Sequence, residues 1–231
     1  MQGFQEMTPL LSHLNALAGG LFIVSTLGII ATRQVRACLK FFIFQSIFLA
    51  SSAFLLGALP FSIHLISVGV INLITKVIIL PWLLKFLLRK EVYTRREINQ
   101  VISIPVSLII ALGLVIMAYF FTLPWLKAVS ASGAARINVP IGLAGLFLGA
   151  YALANRREAI PQLLGLLAME NGAFFAGVAI APDLPLIAEL ALAFDILILT
   201  FVVGVLTRTM HERVGTTTIG AFSKLREERH K

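Results

Sequence analysis

The sequence predicts an all-α membrane protein of about seven transmembrane helices, with the N-terminus outside and the C-terminus cytoplasmic. Three observations carry that prediction. The chain of 231 residues is 58% hydrophobic and only 13% charged, with a mean hydropathy of +0.94, which excludes a soluble domain. Its apolar residues run continuously instead of alternating, which excludes a transmembrane barrel. Finally, the formal charge of +8 sits largely in short loops between the apolar runs. In a soluble protein that charge would suggest nucleic acid; here it reports topology, and the expected surroundings are lipid, with no nucleic-acid partner.

Runs long enough to span, about 20 residues each, lie at roughly 10–32, 38–59, 63–88, 100–123, 138–154, 159–181 and 184–207. The first follows Met1 to Pro9, which lacks the basic region of a signal peptide, so a retained helix is expected. The second holds Gln45, a side chain suited to an interhelical hydrogen bond. The third carries His64, Asn72 and Lys76, and Pro81 just beyond the lysine is expected to distort it locally. The fourth ends at Leu123-Pro124-Trp125. The fifth is the weakest, being short with Pro140 near its start. The sixth follows Arg156-Arg157 and contains Glu170-Asn171; the seventh starts near Pro185 and contains Glu189 and Asp195.

Seven spans put the termini on opposite sides. One side receives Arg33, Arg36 and Lys40, then Lys85, Arg89, Lys90, Arg95 and Arg96, then Arg156 and Arg157, then the basic tail. The other receives only Lys127 and Arg136, so the first side is read as the cytoplasm. The chain then divides into a four-helix part over 1–130, a three-helix part over 131–207 and a cytoplasmic tail over 208–231. Ser130 to Ala134 reads as a small-residue linker between the first two. Gly142, Gly145, Gly149, Gly165 and Gly172 suit close backbone packing in lipid. Ile219, Phe222 and Leu225 would share one face if the tail were helical, fit to dock on a partner.

Lys76, Glu170 and Asp195 each fall about 15–18 Å into their spans, near the bilayer midplane. A charge there costs on the order of 3 kcal/mol and is rarely kept without a use. The functional reading is a proton relay; the structural one is a static ion pair between helices. Glu189 lies nearer the outer face, about 120° around the helix from Asp195. Asn72, one turn before Lys76, and Asn171, beside Glu170, are supporting polar groups. His64 could shuttle protons near the outer end of its span, as could His13, although an interfacial residue bonded to water or backbone is the preferred reading of both. Cys38 is the sole cysteine, so no internal disulfide or cysteine cage is expected. No nucleophile–base pair, phosphate loop or metal-ligand set is evident, so neither a catalytic site nor a bound cofactor is expected on this chain.

Arg156-Arg157 followed by Leu163-Leu164-Gly165-Leu166-Leu167-Ala168-Met169-Glu170-Asn171 resembles the middle helix of the three-helix NuoK subunit of respiratory complex I. With four helices in front and Leu190-Ala191-Leu192-Ala193-Phe194-Asp195 behind, the chain resembles the hydrogenase-4 component E family over most of its length. Two features depart from NuoK. Glu170 lies about one turn after the place of its glutamate, and Asp195 stands where it has a second glutamate.

The resemblance implies a non-catalytic membrane-arm subunit of a group 4 nickel–iron hydrogenase or formate hydrogenlyase-type complex in a bacterial or archaeal inner membrane. Lys76, Glu170, Asp195 and Glu189 would contribute to a lateral proton or ion path. Antiporter-like and anchor subunits would lie alongside, and peripheral redox subunits holding iron–sulfur and nickel–iron centres would dock on the cytoplasmic side. The competing expectation is a structural anchor whose charges only pair. A retinal-type receptor or pump fits poorly, because such proteins carry their lysine in the last helix and Lys76 is in the third.

Overall fold

In lipid no water can serve a bare backbone group, so each apolar run must close its own hydrogen bonds as a helix. The computed structural model describes residues 9–58, 61–87, 100–128, 133–180 and 197–206. Among these, α1 spans Pro9–Ala31, α2 Val35–Ala58 and α3 Ile63–Asn72. A π-helical segment, Leu73–Ile79, joins α3 to α4 at Leu80–Leu87. Next come α5 at Ile104–Ala128, α6 at Gly133–Ala154, α7 at Ala159–Ile180 and the short apolar α8 at Leu197–Leu206. Among the described residues six helical stretches are long and apolar enough to cross a membrane, which establishes an all-α, multi-pass architecture. Of the run at 184–207, only α8 falls among the described residues.

Successive helices alternate in direction, so the positive charges at Arg33, Arg36, Lys85, Arg156 and Arg157, in connections or in the helical turns beside them, gather at one end of the bundle, the basic end. Two helices run further than hydropathy alone suggests. α5 continues through Pro124 to Ala128, and α6 begins at Gly133, seven residues ahead of Pro140. Gly133 and Ala134, expected in a linker, are its first turn. Both prolines lie toward the end of the bundle opposite the basic one, where a carbonyl left without a partner can reach water if that end meets the interface.

Beside a smaller cluster of Phe22, Leu49 and Phe175, two large apolar clusters fill the interior of the described bundle. One, toward the basic end, joins Ile29, Cys38, Phe42, Leu80, Leu84, Leu148 and Leu164. The other, toward the opposite end, joins Ala53, Leu56, Leu65, Val68, Val139 and Val178. The pairing of α6 with α7 is the tightest. A Cβ on Gly172 would strike the backbone nitrogen of Leu146, and one on Gly149 the backbone of Met169. Without a hydrophobic drive between helices in lipid, such backbone approach is what holds them.

The basic end is locked by Arg156, which is 2% exposed. Its guanidinium donates to the carbonyls of Ile29, Ile30 and Thr32 at 2.5, 3.1 and 2.9 Å. Those are last-turn carbonyls of α1, or lie directly after it, so a cation meets both their lone pairs and the negative end of the helix. Gln100 Nε2 donates to Ile30 and Thr32 as well, at 3.3 Å each, tying the segment ahead of α5 to the same point. Burial draws the Arg156 guanidinium below its ordinary value, with Glu158 among the groups opposing the shift. An arginine keeps its charge under such conditions.

Candidate functional site

The π-helical segment places its one charged residue, Lys76, near the middle of a 24-residue span, 3% exposed and turned toward α7. Pro81 supplies the local reason for the widened turn. It has no N–H for the carbonyl of Val77 and its ring crowds that carbonyl. The ladder loosens ahead of it, and the Leu80 N–H bonds to the Thr75 carbonyl, five residues back. The distortion expected near Pro81 is present, and it contains Lys76. Single π turns of this kind recur at functional positions.

Lys76 Nζ meets three groups of α7. It donates to Glu170 Oε1 at 2.9 Å and to Asn171 Oδ1 at 2.6 Å. It also lies 5.6 Å from the centre of the Phe174 ring, within cation–π reach. Asn171 Nδ2 then donates to Gln45 Oε1 at 3.2 Å and Ser46 Oγ at 3.0 Å, both on α2. Gln45 Nε2 donates to Thr26 Oγ1 on α1 at 2.8 Å, and the Thr26 hydroxyl bonds to the Phe22 carbonyl at 2.8 Å. Four of the bundle's helical stretches thus meet in one polar layer at mid-depth. Apolar clusters above and below keep that layer dry, which strengthens each contact in it.

The ion pair is asymmetric. The Lys76 side chain is 4% exposed and that of Glu170 is 24%, so the carboxylate looks partly outward from the described bundle while the lysine is enclosed. Chemically this is a proton donor and acceptor at hydrogen-bond distance in a low dielectric. A proton can move from Nζ to Oε1 while the hydrogen bond persists as O–H···N.

Of the residues singled out from sequence, Lys76, Glu170 and Asn171 come together directly. Asn72 is buried one turn before the lysine, but its Oδ1 meets no donor among the described residues. His64 lies at the start of α3, about 18 Å along the span from Lys76, and half-buried. His13 is exposed on α1. Asp195, Glu189 and the tail residues Ile219, Phe222 and Leu225 lie outside the described residues. Gln45, expected to bridge helices, does so. Thr26, Ser46 and Phe174 complete the layer, and nothing in the sequence pattern marked them.

Two further polar groupings flank the site. Toward the end opposite the basic one, Asn15, Ser52 and Asn138 form a closed ring. Asn15 donates to Asn138 at 2.7 Å, Asn138 to Ser52 at 3.0 Å and Ser52 to Asn15 at 2.6 Å. At the basic end, Tyr151 of α6 and Asn155, directly after it, both donate to Ser107 of α5, at 2.9 and 3.1 Å.

No protein-family model matches the chain, and no solved structure does. Curated relatives do match it along nearly its full length. Hydrogenase-4 component E of Escherichia coli (strain K12) is 24% identical over 212 residues, 92% of this chain and 96% of that protein. The Shigella flexneri protein of the same name matches to the same extent. The Mycobacterium tuberculosis protein named Uncharacterized protein Rv0085 is 30% identical over 211 residues, 91% of this chain and 94% of the relative. The similarity to hydrogenase-4 component E is weak in identity but covers the spans that hold Lys76, Glu170 and Asn171. This chain is therefore a multi-pass membrane protein that belongs to the family of the mycobacterial protein Rv0085, with a weaker homology to hydrogenase-4 component E.

Proposed function

We propose that the chain is a non-catalytic membrane-arm subunit of a complex I-like hydrogenase or respiratory complex in a bacterial or archaeal inner membrane. In this reading Lys76 and Glu170 form one link of a lateral proton path, Asn171 holds the lysine, and Asp195 and Glu189 provide further carboxylates. Electron transfer would occur on iron–sulfur and nickel–iron centres of partner subunits. Antiporter-like and anchor subunits would adjoin this one within the membrane. The observation that carries the reading is the Lys76–Glu170 contact at 2.9 Å in a π-helical turn. A π-helical turn, a lysine–carboxylate pair at hydrogen-bond distance and a partly exposed carboxylate coincide near the middle of the span. The homology to a named hydrogenase component supplies the kind of assembly.

The rival reading, a structural anchor, is favoured by the lysine's two hydrogen bonds to one helix, since a buried pair can serve assembly alone. The variants Glu170→Gln and Lys76→Met/Glu170→Gln separate the two. Removing one member of a buried pair destabilises by about 3–5 kcal/mol, whereas removing both is often nearly neutral. An anchor therefore loses assembly in the single variant and regains both assembly and coupled turnover in the double. A relay assembles in the double variant and stays uncoupled. Restored coupling in the double variant would refute the relay.

A further inference from the structure

The hydrogen bonds of the midplane layer all point one way. As an ammonium, Lys76 Nζ can only donate, so the Asn171 atom facing it at 2.6 Å must be Oδ1. Asn171 Nδ2 is then turned to Gln45 Oε1 and Ser46 Oγ. That in turn presents Gln45 Nε2 to Thr26 Oγ1, which leaves the Thr26 hydrogen for the Phe22 carbonyl. Thr26, Gln45, Ser46 and Asn171 are each fully enclosed. Four bonds in series thus take their sense from the charge on one side chain. Each aligned dipole adds to the negative character of the next acceptor, the last being the oxygen held against the ammonium.

We propose that Thr26 and Gln45 are positioning residues that act through Asn171 to hold Lys76 for proton exchange with Glu170, and that this branch orients the lysine without carrying protons itself. The proposal rests on the relay reading of the Lys76–Glu170 pair. Planar amides cannot accept a proton at one end and release it at the other without turning over. Turning Asn171 over would set its Nδ2 against the ammonium and its Oδ1 against Gln45 Oε1, breaking the series in one step. Glu170 on α7 is the only charged group acting on Lys76 among the described residues, and α2 contributes only Gln45 and Ser46, neither of which titrates. The transfer is therefore confined to one bond. The Nζ–H bond breaks, the Oε1–H bond forms, and a charged pair becomes a neutral one.

The test uses the assembled complex in membrane vesicles and compares Thr26→Val with Thr26→Ser. Valine keeps the shape of threonine but removes the nearer acceptor of Gln45 Nε2, leaving it only the Ala168 carbonyl at 3.4 Å; serine keeps the hydroxyl. Two quantities are read: the ratio of coupled proton uptake at about pH 6 to that at about pH 8, and the side-chain 15N resonance of Lys76, assigned by its loss in Lys76→Met. Thr26→Val is expected to change the ratio about fivefold and to move the resonance, and Thr26→Ser to restore both. A merely structural threonine would lower uptake at both pH values alike. An unchanged ratio and an unmoved resonance in assembled Thr26→Val would overturn the proposal. If Thr26→Val does not assemble, the resonance is read in Gln45→Met on the full-length chain with the same criterion. A resonance moved by Thr26→Val, in a complex whose wild-type form shows no proton coupling, would refute the relay and leave the positioning role standing.

Discussion

Lys76 illustrates how a residue that hydropathy alone would reject is accommodated. Every direct partner of its ammonium lies on one face of α7: Glu170, Asn171 and the Phe174 ring. Arg156 shows the same logic with backbone carbonyls in place of a carboxylate. Arg156→Ala would take the guanidinium from the Ile29 carbonyl and leave those of Ile30 and Thr32 to Gln100 alone, a cost of about 1–3 kcal/mol for a group left without a donor or water. We expect a lowered melting temperature in detergent and only partial rescue by Arg156→Lys, whose point charge cannot fork across three acceptors. Equal melting curves for Arg156→Ala and wild type would contradict the capping role. At this scale the sequence was legible wherever a charge interrupted an apolar run, as at Lys76 and Glu170. It was not legible at Thr26, Ser46 or Ser52, because hydroxyls in apolar helices ordinarily bond to their own preceding turn. Thr26 does that too, and its second bond to Gln45 depends on another helix. Arg156 and Arg157 read as a matched pair of loop charges, yet one is buried under α1 and the other is exposed.

The elements that matter most are the π-helical segment and the α6–α7 pair. Pro81→Ala would restore an N–H and remove the ring that crowds the Val77 carbonyl, allowing Leu73–Ile79 to rewind as an α-helix. Absorbing one residue of slack rotates the helix on one side of the turn by about 100° relative to the helix on the other. We therefore expect Pro81→Ala to melt no lower than wild type but to lose proton coupling, because Lys76 is swung away from Glu170. Coupling at the wild-type level would show that the wide turn is dispensable. In the helix pair, Gly172→Leu would drive a side chain into the Leu146 backbone and force α6 from α7. It is expected to abolish assembly on a native gel, whereas Gly113→Leu, with open space around it, should not. Hydropathy located the six full-length helices but misjudged the ends of α5 and α6. It marks the hydrocarbon slab, whereas helices continue into the interface, and Pro124 and Pro140 read as boundaries that the wet helix ends tolerate.

At the scale of the molecule, three polar groupings at different depths tie α1, α2, α5, α6 and α7 together, and apolar packing fills the space between. α5 is the least enclosed of the long helices, with Ile109, Phe120 and Phe121 facing outward, as suits a surface that meets lipid or a neighbouring subunit. The proposed orientation predicts that a reporter fused after Arg157 is active only in the cytoplasm and one fused after Ala128 only outside. The reverse pattern would invert the assignment. The architecture was legible because a membrane permits few folds. The contact between Lys76 and Glu170 was not, since a shared depth fixes no rotation about the helix axis.

The measurement that bears most directly on the central claim is the number of protons moved per electron pair by assembled Glu170→Gln complex in sealed vesicles. Electron transfer should continue while proton translocation is lost, because glutamine keeps the shape of the side chain but cannot take the proton from Lys76. An unchanged proton-to-electron ratio in the fully assembled variant would contradict the account.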